Sequence, residues 1–155
     1  MTNNNANLIT IFDTAIDTTI FTMLADHINE GKENPEVMTM AEMMSKLLGA
    51  KLPNNDEFVQ VIVTNEAKQF GAINIYSENC IKQVQEKLHA DNFYVLPSSK
   101  HEVICVPTEG MKIDDLLTMV TEINQAQVAI EDQLGNFVLY YDDDTKQLVK
   151  VAENI

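Results

Sequence analysis

The chain has 155 residues, with 24 Asp and Glu against 10 cationic side chains, all of them Lys, and a formal charge of −14. At 45% apolar it falls in the one-domain range, long enough to bury a core without metals or disulfides. This anionic surplus repels phosphate, and the absence of Arg removes the forked donor that clamps phosphates and reads guanine edges, which argues against direct nucleic-acid binding.

Residues 1–7 are polar and expected to fray. Leu8, Phe12, Ile16, Ile20, Met23 or Leu24, and Ile28 recur at helical spacing up to Gly31. They predict one amphipathic helix of about twenty residues, held by packing because its Thr and Ile content is poor for helix propensity. Gly31–Glu36 reads as a loop. Thr39 and Glu42 then form a reciprocal capping pattern, with Gly49 placed to end a short helix near 40–48. Its Met40, Met43, Met44, Leu47 and Leu48 suit core packing better than a partner's groove.

After the Pro53–Asp56 break, Phe58, Val59, Val61, Ile62 and Val63 predict a strand. Asn65–Lys68 is read as a turn into a second strand, Gln69–Tyr76, the two forming a hairpin. Ser77 can cap a helix running to about His89, with Cys80, Ile81, Val84 and Leu88 on one face. Phe93–Leu96 and Val103–Val106 read as a second hairpin around the polar segment Pro97–His101. Ile113, Leu116, Leu117, Val120 and Ile123 define a further helix. An irregular stretch at 125–135 leads to the strands Phe137–Tyr141 and Gln147–Val151. The order ααββαββαββ predicts a single α+β domain over 1–155, with a largely antiparallel sheet of about six strands packed on helices. The helical part falls at 8–52 and the ββαββαββ part at 53–155.

Cys80 and Cys105 lie in apolar runs without metal-ligand or redox spacing, so they read as reduced core residues of a cytoplasmic protein. No apolar run reaches the roughly 18 residues a membrane span needs, and no early segment has the form of a secretion signal.

The residues Phe93-Tyr94-Val95-Leu96-Pro97-Ser98-Ser99-Lys100-His101-Glu102-Val103-Ile104 resemble the YVLPSS-x-HEVI stretch of an uncharacterised bacterial family, domain of unknown function 5688. Val63-Thr64-Asn65 followed by Gly71-Ala72, then Met119-Val120, Ile123-Asn124, Gln127-Val128-Ala129 and Tyr140-Tyr141-Asp142 fit in the same order. So do the Lys32–Pro35 loop and Met40–Met44, so that the resemblance covers roughly residues 25–155. Members of the family are often longer upstream, and this chain resembles a compact version. The resemblance implies a setting near mobile genetic elements and supplies no mechanism. Lys100 stands where the family usually has an apolar residue, which argues against insertion of this side chain into a core.

Ser98, Ser99, His101 and Glu102, following Pro97, are the only local group with a hydroxyl, an imidazole and a carboxylate. A hydrolase would need His101 beside a serine, a third group orienting the imidazole, and donors for an oxyanion. No GxSxG elbow is present, and in a strand His101 and Glu102 would face opposite ways. A structural turn is therefore the expected role, with a small Ser98/Ser99–His101 hydrolase as the alternative. His27, His89 and His101 lack metal-ligand spacing, Asp142-Asp143-Asp144 lacks the Gly and closing Glu of a calcium loop, and no phosphate-cradling loop occurs, so neither metal nor cofactor is expected.

The charge is uneven. Residues 1–50 carry 7 acids and 2 Lys, residues 51–100 carry 6 and 5, and residues 101–155 carry 11 and 3. Asp114, Asp115, Glu131, Asp132, Asp142, Asp143 and Asp144 are thus the expected contact residues for another protein with a basic surface, such as a nucleic-acid-handling enzyme. The leading expectation is a non-enzymatic inhibitor or anti-defence factor that mimics nucleic acid. A structural module that self-associates through helix 8–30 is the third reading.

Overall fold

A computed structural model describes residues 17–48, 60–97 and 99–153. Its centre is one six-stranded sheet, ordered β1-β2-β4-β3-β5-β6, in which every neighbouring pair is antiparallel. The strands are β1 (Pro35–Thr39), β2 (Val61–Asn65), β3 (Phe93–Leu96), β4 (Val103–Pro107), β5 (Phe137–Asp142) and β6 (Gln147–Glu153). The α+β class and the six-strand antiparallel sheet agree with the sequence reading.

Helical layers cover both faces of the sheet. Val61 and Val63 of β2 turn to one face with Phe93, Val95, Val103, Cys105, Leu139 and Tyr141, as the two-residue period of a strand requires. There they meet Ile20, Leu24 and Ile28 from the short helices α1 (Thr19–Met23) and α2 (Ile28–Gly31), and Cys80, Ile81, Val84 and Leu88 from α4 (Glu78–Leu88). Ile62, Leu96, Ile104, Val106 and Val138 turn to the other face, against Leu116 and Val120 of α5 (Ile113–Gln127). Met40 and Met43 of α3 (Met40–Leu48) pack on the same cluster, whereas Met44 is exposed. Burial on both faces explains why β2 reads as a continuous apolar run rather than an alternating one.

Local signals placed the start of α3 and both ends of α4. Thr39 N–H donates to Glu42 Oε1 (2.9 Å) and Glu42 N–H donates to Thr39 Oγ1 (3.0 Å), the reciprocal box expected at α3. Ser77 Oγ accepts from Cys80 N–H at the start of α4, which ends at His89 in the left-handed region, φ 54°. Cys80 and Cys105 are free and buried, as expected.

Three expectations are corrected. The residues read as a second strand, 69–76, instead hold a wholly buried 3-10 helix, Gly71–Tyr76. The place beside β2 is taken by β1, whose first two residues were read as loop and whose Thr39 was read as the cap of the next helix. Lys68 and Phe70 sit at positive φ, 58° and 59°, which turns the chain out of extended backbone, and Asn74 Nδ2 lies 3.2 Å from the carbonyls of Gly71 and Thr64, in place of a strand ladder. The described part of the long first helix is broken into α1, a 3-10 turn at Ala25–His27, and α2. Leu24 and His27 leave helical geometry there, while Ile20, Leu24 and Ile28 still form the buried face. Residues 1–7, Leu8, Phe12, Ile16, Gly49, Pro53–Asp56, Phe58, Val59 and the side chains of Leu47 and Leu48 lie outside the described residues.

Candidate functional site

One end of the sheet, where β2 and β3 stop and β4 begins, holds a buried polar cluster. Asn65 closes β2 with no exposed surface; its Nδ2 donates to the carbonyls of Gly31 (3.0 Å) and Gln69 (2.7 Å), and its Oδ1 accepts from Gln69 N–H (3.0 Å). Asn74 Nδ2 donates to the same Gly31 carbonyl at 2.8 Å. Two side-chain amides therefore clamp the end of α2 to the 66–70 turn and to the buried 3-10 helix. The glycines make the approach possible: a Cβ on Gly31 would lie 2.1 Å from Phe70 O, and one on Gly71 would lie 2.6 Å from Asn65 N.

His101 joins four segments at this end. Its backbone N–H donates to Ser99 Oγ (3.0 Å), and its carbonyl accepts from Thr64 Oγ1 of β2 (2.7 Å). Its Nδ1 accepts from Phe70 N–H (3.0 Å), and its Nε2 lies 3.2 Å from Asp132 Oδ1. A backbone N–H can only donate, so Nδ1 is the acceptor nitrogen and the ring proton resides on Nε2, facing the carboxylate. The rings continue the array. Phe70 lies 5.3 Å from His101 and stacks face to face on His27 at 3.9 Å, and His27 Nδ1 in turn meets Glu30 Oε1 at 3.1 Å.

Of the residues named for the alternative hydrolase, Ser99 bonds the backbone of His101 rather than its imidazole, and both ring nitrogens have other partners. Ser98 lies outside the described residues. Pro97 is buried, and Glu102 is half-buried just before β4, where burial pushes its carboxyl above the ordinary carboxylate range. Among the described residues no group of three or more His, Cys, Asp or Glu could hold a metal ion.

The expected contact acids divide between the two ends of the sheet. Asp142, Asp143 and Asp144 lie at the β5–β6 turn, level with the end of β4, since Phe93 pairs with both Pro107 and Tyr141. Asp114 and Asp115 are exposed in the first turn of α5, which starts just after β4 ends. Glu131 and Asp132 lie at the opposite end, where Lys100 N–H donates to Asp132 O (2.8 Å). Asp143 is engaged internally: its carboxylate accepts from Lys146 Nζ (2.6 Å) and Gln85 Nε2 (2.9 Å), and its N–H donates to Asn92. The Lys146 bond holds this carboxyl below its ordinary range.

The fold and the cluster define an α+β protein whose sheet is sealed at one end by an amide and imidazole clamp. The chain belongs to a family of unknown function, DUF5688, whose model matches residues 12–143. The match begins earlier and stops sooner than the sequence resemblance had it, leaving β6 outside. No curated protein and no solved structure is measurably similar to the chain. Among the described residues no helix is long and apolar enough to cross a membrane.

The family-like stretches that lie apart in sequence, around Thr64, Asn65, Gly71 and Ser99–His101, meet in this one cluster. Sequence reasoning missed the partners supplied by Phe70, Asn74 and Asp132. Buried Asn within an apolar run, as in Gly71–Tyr76, is the signal that could have found one of them, because a buried amide needs a bonding partner.

Proposed function

We propose that the protein is a non-enzymatic binding factor whose acidic end engages a basic surface on another protein. The finer reading is an inhibitor that occupies a groove built for nucleic acid, in the setting of defence and counter-defence that mobile elements create. One observation carries this reading: the topology delivers Asp114, Asp115 and Asp142–Asp144 to the same end of the sheet, together with exposed Asp91 and Glu109. Lys146, beside them, is engaged by Asp143. Carboxylates grouped in this way speed and align encounter with a cationic partner. Glu131 and Asp132 drop out of the contact set, Asp132 because His101 and Lys100 hold it.

The geometry of the Ser99–His101 turn favours binding over hydrolysis, because the Ser99 hydroxyl has no imidazole nitrogen to take its proton. The test is binding of the full chain to a panel of nucleic-acid-handling enzymes, CRISPR nucleases among them, at increasing salt. Binding should weaken as ionic strength rises and fall at least tenfold in an Asp114→Asn/Asp115→Asn/Asp144→Asn variant. Salt-independent binding, or binding that the variant leaves intact, would refute the electrostatic account.

A further inference from the structure

Phe70 is a bulky residue in the left-handed region, at φ 59° and ψ 20°. Such a conformation persists only where its surroundings enforce it. Two contacts do so: the N–H bond to His101 Nδ1 (3.0 Å) and the parallel stack on His27 (3.9 Å). We infer that His101 is a proton-operated latch whose neutral ring holds the 66–70 turn closed, and that protonation at Nδ1 releases the turn.

The chemistry follows from which nitrogen carries which partner. Nε2 faces Asp132 and can donate to it whether the ring is neutral or charged. Asp132 therefore fixes the ring plane and leaves Nδ1 as the nitrogen open to a second proton. That proton must go to Nδ1, where it converts an acceptor into a donor aimed at the Phe70 N–H. Two donors 3.0 Å apart repel, and the bond that opposed the strain of Phe70 is lost. The strain of a left-handed side chain and the worth of one hydrogen bond are of the same order, so the loss frees Phe70 to leave that conformation, while Asn65 still holds Gln69 and the release is confined to the Phe70 end of the turn.

Among the described residues, the charged groups nearby include Glu102 in its own loop, whose carboxyl feels both His101 and Lys68 of the turn, and Glu30 behind His27. Lys68 is paired with Glu36 at 2.6 Å, and the Phe70 ring separates Glu30 and His27 from His101. Release would reshape a cleft lined by Glu30, Glu33, Asn34, Glu66, Ala67 and Gln69, half of whose wall belongs to the turn.

The inference is independent of the acidic end and is tested by nitrogen NMR on the labelled full chain. At about pH 8 a through-bond coupling between Phe70 N and His101 Nδ1 is expected. By about pH 5, across the interval in which imidazoles change charge, it should vanish as the Phe70 amide shifts, with the Val95 and Leu139 amides unmoved. An His101→Asn variant keeps a side-chain acceptor but cannot titrate, so its Phe70 amide should stay flat over the same interval. The latch is refuted if the coupling is absent at high pH or survives at low pH, if Val95 shifts together with Phe70, or if His101→Asn reproduces the wild-type titration.

Discussion

The two ends of the sheet use polar residues in opposite ways. At the His101 end, buried amides and an imidazole reach across 31 to 43 residues of chain, from Asn65 and Asn74 to Gly31 and from Phe70 to His101. At the acidic end the bonds within the β5–β6 turn are local, Asp143 to Lys146 and Asp142 to the Asp144 N–H and to Thr145, although Asp143 also reaches Gln85 and Asn92. Long-range bonds between buried groups fix where segments lie, and leaving one unmade costs the full desolvation of its partner. Exposed local pairs hold a turn but contribute little, because water competes for the same atoms.

A matched pair of glycine substitutions is the strongest way to break this comparison. Gly71→Ala places a methyl 2.6 to 2.8 Å from backbone atoms of Asn65 and Thr64, which cannot move without disturbing β2. A loss of about 3 kcal/mol is expected in urea denaturation. Gly110, at the acidic end, has open space around its would-be Cβ and a φ of +77°. Gly110→Ala should therefore cost only the conformational penalty, about 1 kcal/mol. Equal losses would abolish the distinction between a packed end and an open one.

Asn65→Ala sharpens the same contrast without adding bulk. It removes the donors to Gly31 and Gln69 and the acceptor for Gln69 N–H, all at a residue with no exposed surface. The expected loss is about 2 kcal/mol, with hydrogen exchange quickening first in the 66–70 turn. Exchange that quickens evenly over the whole sheet would mean that Asn65 supports the core and not the clamp.

Those residues also mark the limit of what the chain revealed as a string of letters. The β-branched run Val61-Ile62-Val63 placed β2, and capping residues placed α3 and α4, because both signals are local. The sheet has the expected number of strands, but one member differs. Gly71–Tyr76 alternates like a strand, and only the amide of Asn74, bonded to a glycine 43 residues earlier, reveals why it coils. In the candidate site, Ser99 and His101 were legible as a polar turn. Asp132, grouped with the surface acids by composition, holds the imidazole instead. A contact between residues 31 apart leaves no periodic trace, whereas a cap leaves one within four.

Asp143 provides a smaller test, through pH. Lys146 and Gln85 hold its carboxylate ionised below the ordinary range, so its stabilisation is complete above the normal carboxylate value of about 3.9 and is lost as pH falls through the lower folded value. Wild type should exceed Asp143→Asn by under about 1 kcal/mol at neutral pH. The gap should close only in strong acid. A gap that already closes near pH 5 would show that another carboxyl governs the β5–β6 turn.

The smallest effect on stability is expected at Asp114 and Asp115, and it separates folding from binding. Both are exposed in the first turn of α5, where negative charge meets the unpaired N–H groups of the helix start. Replacing the pair by Asn should lower the melting free energy by only about half a kcal/mol, since no long-range bond depends on them. If they also face a basic partner, the same double change should weaken association much more than it weakens the fold, and the difference should shrink at high salt. Stability and binding that fall in proportion would place these carboxylates in the architecture of α5, and the acidic end would then be a solubilising surface like any other.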